Sequence, residues 1–366
     1  FFKQKTAYEI PKRDWSSDVC SSDLVFFYFV TSSIIYYCIC KKILQSKSLF
    51  LIALAAFSLN PYLLWLCNSG QDTVFELFLL LSSAALILRK NMALALMPLY
   101  FLCLVRPAYW ATLLLFPIIY YAKNRKKLPR YFGRMLLITP VSALFLTLMI
   151  NVLAFGTPNL ATSSGTTALF SHNKYYYLSM PKFDMDVFLS KGGNMDPARI
   201  LKDNSKLDSV KDVELRAALV SILENPKSLL LNTLQKVDSY FFAVQKVPQL
   251  PGSYYLSENQ KNIVIENERL SWALILGNLV YFLHRSALLV LGIVAFTIYQ
   301  IRLRKRGPLQ DNLGYLLIPY FATAIPCIIY YTESRFKVVS ELLLVPIIMG
   351  VFQAYKRTPE IGRAHV

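Results

Sequence analysis

Runs of roughly twenty apolar residues, separated by short lysine and arginine clusters, set the terms for everything this chain can fold into. A helix needs about 17–25 apolar residues to cross a bilayer. Inside lipid, only helices and closed barrels satisfy their own backbone hydrogen bonds. These runs are continuous and do not alternate, so they predict helices. Composition agrees: 55% of the residues are hydrophobic and only 17% are charged, against about 25% in soluble domains. The expected fold class is an all-α polytopic membrane protein.

The formal net charge is +17. Its Lys and Arg sit in short loops between apolar runs, where they orient the chain in the membrane. No nucleic-acid partner is expected. Cys38, Cys40, Cys67, Cys103 and Cys327 lie in or at the ends of apolar runs, with neither metal-ligand nor disulfide spacing. They read as small buried side chains.

Both ends look foreign to the rest. Residues 1–24 and the closing 361–366 (IGRAHV) resemble translated sequencing-adapter sequence. The first stretch is polar and switches abruptly to a membrane run at Val25, with no apolar core of a signal peptide. Asp14, Asp18, Asp23 and His365 are therefore set aside as site candidates, and the true N-terminus is expected to be missing.

From Val25 onward the pattern is regular. Transmembrane helices are expected over 25–155: 25–40, 48–67 with Asn60-Pro61 inside it, 73–88, a short hairpin over 91–122 broken at Arg106-Pro107, and 135–155. A polar region, 156–269, follows as an extracytoplasmic loop. Within it, 206–224 has helical apolar spacing, and Asn225-Pro226 opens another helix. That helix carries Leu230, Leu234, Val237 and Phe241 on one face and is expected to lie on the membrane surface. The C-terminal transmembrane region, 270–357, holds apolar stretches at 270–283, 286–301, 313–331 and 338–355, with His284-Arg285 interrupting the first two. Residues 358–366 are tail. The total is about nine spans.

The basic clusters at Lys41/Lys42, Arg89/Lys90, 123–134, 302–306 and Lys356/Arg357 are separated by two crossings each, so all can be cytoplasmic. Residues 68–72, Arg106, 156–269 and 332–337 then face outward. So does the charged stretch Tyr330-Tyr331-Thr332-Glu333-Ser334-Arg335-Phe336-Lys337, read as a turn between two spans.

Three phrases carry a family resemblance: NPYLLWLCNSGQDTVFELFLLL, ENPKSLLLNTLQKVDSYFF and ESRFKVVSELLLVP. In this order and topology the chain resembles the GT-C superfamily of polyprenyl-phosphate-sugar-dependent glycosyltransferases, near the protein mannosyltransferase and aminoarabinose transferase group. The likeness covers most of 25–357. It implies an inverting transfer of a sugar from a polyprenyl-phosphate donor to a glycan, lipid or protein acceptor at the outer face of a bacterial inner membrane.

Such a transfer needs a carboxylate base for the acceptor proton and cations for the leaving phosphate. The family's catalytic Asp belongs to a first outer loop, expected to be lost with the N-terminus. This leaves the chain inactive as it stands. Asp72 and Glu76, one turn apart, are candidates to support catalysis, either by orienting the acceptor or by holding a divalent metal. Arg335, with bidentate phosphate geometry, is the leading phosphate clamp. Lys337, Arg106 and Glu333 complete the substrate-binding candidates. His172, Tyr175–Tyr177, Tyr254-Tyr255 and His284-Arg285 are weaker contacts for metal, sugar rings or lipid headgroups.

Bland readings stand beside these. A carboxylate at a helix start complements its dipole, and lysines near helix ends snorkel to the interface. A transporter or lipid flippase, with Glu76 and Arg106 lining a pathway, is one alternative, although no internal repeat is visible. An O-antigen ligase or polymerase-like protein is another, and a structural membrane scaffold a third. No P-loop, Rossmann glycine pattern or zinc motif is present.

Overall fold

A computed structural model describes residues 15–60, 63, 64, 67, 73–124, 126, 129–156, 168, 169, 171, 172, 201, 213–241, 254–256, 263–265, 287, 288, 290–295, 297, 298, 314–329 and 334–356. For some of these, Arg335 among them, only the backbone is described. The elements are α1 (Trp15–Ile43), α2 (Lys47–Ser58), α3 (Thr73–Leu88), α4 (Met92–Val105), a 3-10 turn (Pro107–Tyr109), α5 (Trp110–Asn124), α6 (Arg130–Phe155), α7 (Val213–Glu224), α8 (Pro226–Phe241), β1 (Tyr254–Leu256), β2 (Ile263–Ile265), α9 (Ile318–Ile329) and α10 (Ser334–Lys356). Helix dominates. The exception among the described residues is one antiparallel hairpin, β1 with β2, which pairs Tyr254 with Ile265.

Among the described residues three helices are long and apolar enough to cross a membrane: Asp23–Ile43, Leu136–Ala154 and Lys337–Tyr355. The apolar helices Lys47–Ser58, Thr73–Leu88, Met92–Val105 and Gly314–Ile329 are shorter. At 1.5 Å per residue they reach only about 18–24 Å, against roughly 30 Å of hydrocarbon.

α10 is the central post. Within the bundle, 61% of its apolar window is buried, against 22% for α1 and 17% for α6. It packs on α1, α2, α3 and α9. Its Val338, Val339, Leu342 and Leu343 share one core with Leu77, Leu80 and Ala84 of α3 and with Tyr36, Ile39 and Ile43 of α1. Polar ties fix the stacking. The Tyr36 hydroxyl donates to the Leu342 carbonyl at 3.3 Å. Ser83 Oγ donates to the Ala95 carbonyl at 3.0 Å and joins α3 to α4. The Gln353 side-chain oxygen accepts from the Gln45 and Ser46 amides at the start of α2. α6 is peripheral and leaves Ile138, Val141, Phe145, Met149 and Leu153 exposed, an apolar surface too continuous for water.

Several boundaries differ from the sequence expectation. The expected 48–67 span is not one helix, because α2 stops at Ser58. The Asn60 side chain accepts a hydrogen bond from the Leu63 amide at 3.0 Å, so Asn60 caps a new turn with Pro61 following it. Pro98, Pro117, Pro140, Pro326 and Pro346, by contrast, remain inside helices. The difference is that Asn60 offers the chain an alternative acceptor. α1 starts at Trp15, ten residues before the apolar run at Val25. The 330–337 stretch is not wholly a turn, since α10 begins at Ser334 and takes Arg335 and Lys337 into its first turn. The hairpin expected over 91–122 does break at Arg106, into α4, the 3-10 turn and α5.

Gly133, in the first turn of α6, is where α6 meets α5. A Cβ there would overlap the Tyr121 ring. Gly133→Ala is expected to cost about 1–3 kcal/mol, read as a lower melting temperature in detergent. Adding Tyr121→Ala should recover most of that loss. An unchanged melting temperature for Gly133→Ala would show that this corner is loose.

Candidate functional site

The site is built from polar residues that are buried, except Arg106, whose side chain is 18% exposed. Glu76 lies in the first turn of α3 and is 1% exposed. A lone carboxylate there would be strongly disfavoured. Its partner is Arg106, which caps α4 at the hairpin tip, and Nε of Arg106 donates to Oε1 of Glu76. The Arg106-Pro107 break delivers this cation. α4 ends with Arg106 in extended backbone, φ −136° and ψ 106°, and Pro107 starts the 3-10 turn. Helix geometry would have carried the side chain round the axis; the break sends it back to α3.

Next to this pair lie Tyr109 and Cys327. Tyr109 is fully buried and within electrostatic range of Glu76, Arg106, Tyr240 and Cys327. Cys327 lies in range of both Glu76 and Lys337. Ala108 of the 3-10 turn packs in one cluster with Tyr240, Ala324 and Cys327. The hairpin tip, α8, α9 and the start of α10 therefore meet at one place.

Two lysines lock the meeting point. Lys337 is fully buried and donates to the Tyr240 carbonyl, in the last turn of α8, at 3.1 Å. Lys236 of α8 is fully buried too and donates to the Ile329 carbonyl, the last residue of α9, at 3.1 Å. Helix C-termini leave carbonyls without intrahelical partners, and each ammonium satisfies one on a neighbouring helix. The Tyr240 hydroxyl adds a bond to the Tyr320 carbonyl at 2.8 Å and another, at 2.9 Å, with Thr323 Oγ1.

Lys337, a substrate-binding candidate of the sequence analysis, is buried and caps α8. Later residues of α8 meet earlier residues of α9, so α8 runs antiparallel beside it. Thr323 and Tyr320 are six and nine residues before Ile329, a descent of about 9–14 Å. α8 is also inverted relative to a water-soluble helix. Asn232, Lys236 and Tyr240, at i, i+4 and i+8, are buried, whereas Leu230, Leu231 and Leu234 are exposed. Sequence reading missed Lys236 and Tyr240 because it treated the polar face as solvated. The available signal was that same spacing, opposite a leucine face expected to meet lipid.

His172 joins from the long loop. Ala168 and Leu169, just before it, pack on α7 against Ala217 and Ala218. Burial, then Lys236, lowers His172 to about 4, while the Ile329 carbonyl opposes that shift. Burial lowers Lys236 itself to about 7.

Of the expected site residues, Glu76, Arg106 and Lys337 come together. Arg335 lies in the first turn of α10 two residues before Lys337, and its side chain is outside the described residues. Asp72, Glu333, Tyr175–Tyr177 and His284-Arg285 also lie outside them. Tyr254 and Tyr255 fall on β1. Among the described residues no three His, Cys, Asp or Glu side chains group to hold a metal ion. Oε1 of Glu76 is engaged by Arg106. Comparison with protein-family models, curated proteins and solved structures finds no match to this chain.

Removing one partner of a buried ion pair strands the other. Glu76→Gln alone or Arg106→Gln alone should each cost about 3–5 kcal/mol, read by thermal unfolding. The double variant should recover a large part of that, giving a clear coupling energy in the cycle. Strict additivity would mean the pair is not formed in the membrane.

The unfolded chain takes up the His172 proton near 6.5, well before the folded chain does near 4. Stability should therefore fall as pH drops from about 6.5 to 4. His172→Gln should flatten that part of the melting temperature–pH curve, and an unchanged curve would show that His172 is solvated.

Proposed function

We propose that this chain is a multi-pass membrane glycosyltransferase that binds a polyprenyl-phosphate-sugar donor, with the buried Arg106–Lys337 region taking the donor's phosphate. The observation that supports this reading is the gathering of Glu76–Arg106 and Lys337 around Cys327 and Tyr109, close to α8 with its exposed leucines. A lipid-linked phosphate has the matching duality, an anionic head on an apolar tail. The head would find fixed cations in surroundings of low dielectric, where they act more strongly than in water. The tail would lie along lipid-exposed side chains such as Leu234 on α8 and Ile325 and Phe321 on α9, all of them exposed.

Each residue has a stated task. Arg106 supplies a planar guanidinium, and Glu76 orients it. A carboxylate already engaged by Arg⁺ is a weakened base, so Glu76 is assigned orientation and not proton removal. The base that takes the acceptor proton is assigned to no residue of this chain, and Asp72 keeps the supporting task of orienting the acceptor. Arg335, two residues before Lys337 in the first turn of α10, is assigned to the phosphate edge. The positive-inside pattern supports a bacterial inner membrane location with the site at the outer face.

The chain reconstituted in nanodiscs should bind polyprenyl phosphate saturably, and phosphatidylglycerol should fail to compete at equal charge. Arg335→Ala should weaken that binding about tenfold or more, as loss of one charge-assisted phosphate contact implies. Absence of saturable binding, or equal competition by phosphatidylglycerol, would remove the reading. Movement of labelled lipid across vesicles without saturable binding would favour a flippase instead.

A further inference from the structure

The hairpin tip holds a hydrogen-bond donor that finds no acceptor among the described residues. Tyr109 is 1% exposed, and its hydroxyl has no hydrogen-bond partner among the described residues. Orphan donors concentrate here. The Trp110 indole N–H, the next residue, and the Thr112 hydroxyl, one turn on, are likewise buried and unpartnered, as is the Thr73 hydroxyl one turn before Glu76 on α3. A buried polar group without a partner costs about 1–3 kcal/mol. Folded chains avoid such groups unless something else satisfies them.

Packing does not require the hydroxyl. The Tyr109 ring belongs to the main apolar core, and a phenylalanine ring would fill the same volume. The hydroxyl instead lies within electrostatic range of Glu76, Arg106, Tyr240 and Cys327, where the hairpin tip, α8 and α9 meet. Oε1 of Glu76 is taken by Arg106, and the Tyr109 hydroxyl makes no hydrogen bond to the rest of that carboxylate. The Tyr240 hydroxyl is committed to the Tyr320 carbonyl and Thr323. A phenol at this place can therefore serve an oxygen brought in from outside, beside a cation that favours negative charge.

We propose that the Tyr109 hydroxyl is a ligand-binding donor that hydrogen-bonds a phosphate oxygen of the lipid-linked substrate next to Arg106. This rests on the donor-binding reading above and adds a residue to it. It is a neutral donor to an anionic acceptor, so it contributes to phosphate affinity without adding charge to the membrane interior. Trp110 follows directly on the 3-10 turn and flanks the same position.

Tyr109→Phe tests this in the full chain in nanodiscs, with polyprenyl phosphate as the probe. The variant removes one oxygen and keeps the ring. A hydrogen bond to a charged group is worth about 1.5–3 kcal/mol, so affinity should fall roughly ten- to hundredfold. The melting temperature without lipid should stay level or rise slightly, because an orphan hydroxyl has been removed from the core. Unchanged affinity overturns the proposal. A marked fall in melting temperature also overturns it, since the hydroxyl would then have a structural partner. Loss of affinity for the sugar-loaded lipid alone, with bare polyprenyl phosphate unaffected, assigns the hydroxyl to the sugar and overturns the phosphate contact. If the wild-type chain binds no polyprenyl phosphate, it is the donor-binding reading that fails.

Discussion

A carboxylate cannot stay charged and alone inside a packed apolar bundle, and much of this structure follows from how Glu76 is answered. It sits at 1% exposure in the first turn of α3. Only a cation delivered from another element can balance it. Arg106 is delivered by breaking a long apolar run in two. The hairpin of α4 and α5 is short because it must turn at that depth, and its 3-10 turn packs on α9 because it stops there. The same break leaves the Tyr109 ring in the core.

The lysines extend the logic to helix ends. Lys236 closes the C-terminus of α9, and Lys337 closes that of α8. Each helix thus carries the cap of another, and three separate segments of the chain become mutually dependent. An ammonium buried for capping alone would be a costly device where a polar loop could do the same. Lys337 stands in electrostatic range of Cys327, as Glu76 does, so one of the two caps lies close to the ion pair. α8 shows how the surroundings invert ordinary amphipathicity. Its leucines point outward and its polar residues inward, the arrangement expected where the outside is lipid.

Much of the framework was legible in the sequence. Continuous apolar runs marked α3, α6, α9 and α10, and Arg106-Pro107 marked the hairpin break, because proline and helix length act locally. Asn60-Pro61 was misread as tolerated within a span, since nothing local reveals that the Asn60 side chain will cap a following turn. The site was legible only in part. Glu76 and Arg106 stood out as charges in apolar company, each identified separately. Their pairing across thirty positions of sequence could not be read without knowing how α3 and α4 pack. Lys236 and Tyr240 were missed because a polar helix face in a loop region looks like a solvated one.

The sequence by itself determined that this chain is helical, apolar enough for a membrane in three of its helices, and punctuated by charge in a fixed order. Hydrophobic run length and backbone satisfaction are properties of a segment alone, and they need no tertiary information. Only the tertiary structure decided which charges meet. Burial, ion pairing and capping depend on distances between segments far apart in the chain. It placed Arg106 on Glu76, made Lys337 the buried cap of α8, and set the Tyr109 hydroxyl in the core within range of the ion pair.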